Sequence, residues 1–142
     1  MVLACPTAHH REYAVAALEA GKHVLCEFPL APHLADADAM IAAARTANRV
    51  LMVGQILRHV AAFVRLRDIL PSSKLGKVVA VSTTRLGPPY WPEGEFLATD
   101  HHGDVVQEML AFDIDVLNWM FGMPDRVWGA GKATMYGALH YS

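Results

Sequence analysis

Three short apolar runs, Val2–Cys5, His23–Glu27 and Val50–Val53, alternate with two stretches of helical periodicity across short connections. Strand, helix, strand, helix, strand in that order is the pattern of right-handed βαβ crossovers, which build a parallel sheet whose strands are buried on both faces. The first helix is expected over His9–Ala20, with Thr7 as its cap and Tyr13, Ala14, Ala17 and Leu18 on the inner stripe. Gly21 takes the left-handed conformation at its end. The second helix is expected over Leu34–Ala47, with Ala37, Met40, Ile41 and Ala44 inward, ending at Asn48. Because Val2–Cys5 opens as a buried strand directly after Met1, and its backbone groups need partners, the sequence reads as a piece whose earlier strands lie elsewhere.

Beyond Gly54-Gln55 the texture becomes more charged, and a domain change is placed near residue 57, dividing the chain into 1–57 and 58–142. An amphipathic helix is expected over Val60–Leu70, with Val60, Phe63, Val64 and Leu70 inward and Pro71 as its stop. The alternation over Lys77–Arg85 predicts a half-buried antiparallel strand. A loop rich in Pro and aromatic residues, Gly87–Glu95, then leads to a long helix over Val105–Phe121, closed by Gly122 and Pro124, and to a strand near Val127–Ala130. The apolar arc of the long helix covers more than half its circumference, so the helix is expected to be largely buried. Glu108 and Asp115 fall close together on its polar edge, while Asp113 lies inside the arc and must find a hydrogen-bond partner or neutralise.

Composition bounds the partners. A chain of 142 residues, 54% hydrophobic and 18% charged, has ample material for a core. The 12 Lys+Arg against 14 Asp+Glu form no basic cluster, which argues against nucleic acid or an anionic membrane and for a small-molecule substrate. No run reaches the roughly 18 apolar residues of a membrane span, and the protein reads as soluble and cytoplasmic. Cys5 and Cys26 read as reduced thiols. The segment Asp100-His101-His102-x-Asp104 invites a metal, but adjacent histidines point to different sides and no H-x-x-x-H or C-x-x-C pair exists, so no metal site is expected.

Three segments together resemble the Gfo/Idh/MocA family of NAD(P)-dependent oxidoreductases. Cys5-Pro6-Thr7-Ala8-His9-His10 is similar to the family's T-P-N-x-x-H turn, and Ala20-Gly21-Lys22-His23-Val24-Leu25-Cys26-Glu27-Phe28-Pro29 is similar to its A-G-K-H-V-x-x-E-K-P motif. Glu108-x-x-x-Phe112-x-x-Asp115 has the spacing of the D-x-x-x-H-x-x-D helix in the family's second domain. The resemblance implies the C-terminal part of a Rossmann-like parallel sheet, followed by the start of an α/β (α+β) substrate and dimerisation domain. It implies NAD or NADP as cofactor, a sugar, inositol or related hydroxyl or carbonyl compound as substrate, and a homo-oligomer formed through the second-domain sheet. Pro6, Thr7, His10, Glu27, Phe28, Pro29 and Arg58 fall at cofactor-binding positions, and Phe112 and Trp91 at the substrate pocket.

Two departures bear on the chemistry. No G-x-G-x-x-G loop, whose glycines let backbone amides approach a pyrophosphate, occurs in the sequence. Phe28 and Phe112 stand where the family has the Lys and His that serve hydride transfer, and a phenyl ring neither moves a proton nor donates a hydrogen bond. Glu108, with Asp115, is then the remaining acid/base candidate, since a carboxyl between aromatic rings can titrate near neutral pH. The alternative is a catalytically inactive descendant that keeps the scaffold as a binding or assembly module.

Overall fold

The computed structural model describes residues 1–70, 76–85, 109–133 and 139–141. Trp91, Glu108, the loop Gly87–Glu95 and the pair His101-His102 lie outside the described residues. Two compact units emerge, one containing residues 1–54 and the other the described residues from Gln55 onward.

The first unit is a parallel three-stranded sheet, order β1-β2-β3, made by β1 (Val2–Leu3), β2 (Val24–Cys26) and β3 (Leu51–Val53). α1 (His10–Glu19) and α2 (Leu34–Thr46) connect the strands. Both helices end in the same way. Gly21 at φ 75° lets its own N–H reach Leu18 O and that of Lys22 reach Ala17 O; Asn48 at φ 50° does the same for Arg45 O and Ala44 O. Each pair of bonds caps a helix C-terminus and turns the chain into the next strand.

Leu3, Val24 and Cys26 pack against Ala14, Ala17, Leu18, Met40 and Ala44 in one apolar core. The opposite face corrects the expectation of burial on both sides. Val2, Leu25 and Met52 are registered side by side across the sheet, with Val2 63% and Met52 48% exposed and Leu25 half-buried. Helices cover one face only among the described residues. Three finer expectations also change. The N-cap position of α1 is His9, not Thr7, which sits buried in a short 3₁₀ turn, Thr7–His9, that precedes the helix. The inner stripe of α1 runs through His10 instead of Tyr13, and Ile41 of α2 is exposed.

The second unit holds a 3₁₀ turn (Ile56–His59), α3 (Ala61–Ile69), α4 (Ala111–Phe121) and a two-stranded antiparallel ribbon of β4 (Gly131–Ala133) and β5 (Leu139–Tyr141). α3 buries none of its residues, against the expected inward stripe, and Val64 is exposed. Residues 76–85 are exposed throughout and form no strand, and among the described residues no ladder partner covers either face of the alternation. The strand expected near Val127–Ala130 forms instead at Gly131–Ala133, and Val127 and Trp128 lie exposed. Only Val116 is fully buried on α4, whose described turns are half-buried and not enclosed.

Candidate active site

Parallel pairing brings the C-terminal ends of β1, β2 and β3 to one edge, the edge at which open α/β sheets bind ligands. There the chain leaves the strands as Cys5-Pro6-Thr7, Glu27-Phe28-Pro29 and Gly54-Gln55. The ladder continues past the strands: Glu27 N–H donates to Leu3 O at 2.9 Å and Gly54 N–H to Cys26 O at 2.8 Å. The Glu27 carboxylate is exposed and lies across Gly54, where a Cβ would stand 2.9 Å from Oε2. Only glycine leaves that space open to the carboxylate. Phe28 is half-buried and Pro29 buried, and the peptide between them is cis.

His10 sits beneath this turn, not on its surface. It is 1% exposed; Nδ1 lies 2.9 Å from Pro29 O and 3.3 Å from Leu30 O, and Nε2 lies 2.9 Å from Cys5 O. Expected to line the cofactor cleft, His10 instead spends both ring nitrogens on backbone carbonyls and ties the end of β1 to the turn after β2. Thr7 is buried beside it in sequence and Pro6 exposed. Burial, with lesser contributions from Cys5 and Glu27, pushes the Cys26 thiol up to about 12, so it stays protonated in the core.

In the second unit, aspartates of α4 hold arginines from two other segments. Arg58 of the 3₁₀ turn donates from Nε and Nη2 to Asp115 at 2.8 and 2.5 Å. Arg85 donates from the same two nitrogens to Asp113 at 2.6 and 2.9 Å. The bidentate bonds raise the pKa of both arginines, desolvation opposing and the aspartate charges assisting. The Arg85 guanidinium also lies 5.9 Å from the centre of the Phe112 ring, and that of Arg67 lies 4.4 Å from Trp119. Asp113, the carboxylate inside the apolar arc, thus finds its partner in Arg85. Asp115 is not a free base at the helix edge but a carboxylate clasped by Arg58.

Sequence reasoning assigned no role to Arg85 or Gly54. The need of Asp113 for a hydrogen-bond partner is legible in the sequence, but nothing local says which residue answers it. Among the described residues, no group of His, Cys, Asp or Glu is placed to hold a metal, and no helix is long and apolar enough to cross a membrane.

A parallel sheet with crossover helices, carrying an acidic residue at its C-terminal edge, is a Rossmann-like unit of the nucleotide-binding class. Residues 1–55 match the family model described as the NAD-binding Rossmann fold of the GFO/IDH/MocA oxidoreductases, and residues 63–138 match the GFO/IDH/MocA C-terminal domain. The chain belongs to the Gfo/Idh/MocA oxidoreductase family. It is 36% identical over 113 residues to 1,5-anhydro-D-fructose reductase of Ensifer adhaerens, covering 78% of this chain and 34% of that protein. To inositol 2-dehydrogenase of Salmonella typhimurium it is 31% identical over 112 residues, covering 78% and 32%. Biliverdin reductase from Synechocystis, solved with biliverdin and NADP+, superposes with a TM-score of 0.73 at 25% identity, covering 92% of this chain and 41% of that one. The chain therefore spans about a third of the length of the curated relatives it matches.

Proposed function

We propose that the protein carrying this chain is an NAD(P)-dependent oxidoreductase acting on a sugar, inositol or related hydroxyl or carbonyl compound. The observation that carries this reading is the Glu27 carboxylate laid over Gly54 at the C-terminal edge of the parallel sheet. An exposed acceptor on open backbone suits the hydroxyl or carboxamide donors of a nicotinamide riboside. It does not suit a pyrophosphate, which asks for backbone amides at a glycine-rich helix start. Glu27, Phe28, Pro29 and the Pro6-Thr7 turn would hold that end, with His10 acting through the turn it supports. Bound there, the dinucleotide would supply hydride exchange at the nicotinamide. Phe28 excludes water from that end, Glu108 holds the exchangeable proton, and Asp115 acts by fixing Arg58. Phe112 and Trp91 wall the substrate pocket.

A second reading, a redox-inactive binding module, is favoured by Phe28 and Phe112 and by the engagement of Asp115 with Arg58. The test is absorbance of NADH and NADPH mixed with keto-sugars and keto-inositols. Consumption that Glu27→Gln weakens mainly through the dinucleotide KM supports the first reading. Consumption only after Phe28→Lys with Phe112→His supports the second.

A further inference from the structure

The pair Arg85–Asp113 has a feature that a purely structural ion pair does not need. A guanidinium carries five N–H donors in a planar fork. Asp113 takes the side of that fork formed by Nε and Nη2. The end of the fork, one N–H from each terminal nitrogen, meets no acceptor among the described residues, and the Arg85 side chain keeps 33% of its surface exposed. The group is also oriented. Two hydrogen bonds fix its plane, and it lies near the Phe112 ring. A cation anchored on one edge, flanked by an apolar ring and with its other edge meeting no acceptor among the described residues, is preorganised for a planar oxyanion.

We propose that Arg85 is a substrate-binding residue that receives an oxyanion, carboxylate or phosphate, on the open end of its guanidinium. The inference rests on the proposed oxidoreductase reading and narrows its substrate class from neutral polyols to acidic sugars. Phe112 contributes a flat apolar surface beside the oxyanion, and Asp113 is a positioning residue that holds the fork in register.

The test is a titration of the chain, without dinucleotide, by nuclear magnetic resonance at the Arg85 Nε–Hε signal, identified by its loss in Arg85→Lys. The probes are D-glucuronate, glucose 6-phosphate and neutral myo-inositol. A saturating shift with either acidic probe and none with myo-inositol supports the proposal, and which acid acts tells carboxylate from phosphate. Arg85→Lys keeps the charge and loses the fork, and weakens that binding by about 10-fold or more. An unmoved signal with both acids, an equal response to myo-inositol, or unchanged affinity in Arg85→Lys overturns it. Should Arg85→Lys fail to fold, the Nε–Hε signal is assigned by through-bond correlation to the Arg85 backbone amide, and the wild-type titration decides. Because no dinucleotide is present, failure of the dinucleotide reading leaves this result intact.

Discussion

The two units hold themselves together by different means. In the first, eight buried apolar residues from two strands and two helices share one core, and the buried His10 is answered by backbone carbonyls. In the second, Val116 alone is fully buried among the described residues, and α4 is tied to its surroundings by Arg58–Asp115, Arg85–Asp113 and the Arg67–Trp119 stack. Apolar packing locks a geometry regardless of ionic strength, whereas partly exposed ion pairs set direction with modest stability.

The contrast is open to attack from its strongest side first. Leu18→Ala removes a fully buried side chain from the first core and is expected to cost about 2–5 kcal/mol, read by chemical denaturation. A loss below about 1 kcal/mol would mean that this core is not closely packed. Next in size is alkali. The Cys26 thiol is raised from 9.0 to about 12, so its contribution is fully present below about pH 9 and is lost as pH climbs toward 12. At pH 10 the first unit should be weaker by roughly 1 kcal/mol on this account, and Cys26→Ala should flatten that slope. Smallest is Asp113→Asn. With Arg85 33% and Asp113 20% exposed, the pair is worth about 0.5–1 kcal/mol, shrinking in high salt. Salt-independent destabilisation in that variant would place the second unit with the first.

The same contrast explains what the sequence made legible. The strands, the helices and the left-handed Gly21 of the first unit follow from local signals: apolar runs, helical spacing and residues that tolerate positive φ. The exposure of Val2 and Met52 was not legible, because a buried strand and a half-covered one share the same run of apolar residues. In the second unit local signals misled. Lys77–Arg85 alternates without pairing, and Val127 and Trp128 look like a strand that begins only at Gly131. At the site, the Glu27-Phe28-Pro29 turn was legible through its resemblance to the family's A-G-K-H-V-x-x-E-K-P motif, but the buried place of His10, the clasp of Asp115 by Arg58 and the role of Gly54 depend on residues distant in sequence.

The central claim is that the C-terminal edge of the first sheet is the dinucleotide-facing surface, with Glu27 held over Gly54. Backbone amide resonances of the chain, followed while NADPH or NADH is added to millimolar concentration, test it most directly. The account predicts shifts concentrated at Glu27, Phe28 and Gly54, lost when Gly54→Ala displaces the carboxylate. Shifts confined to other surfaces, or none at all, would contradict it.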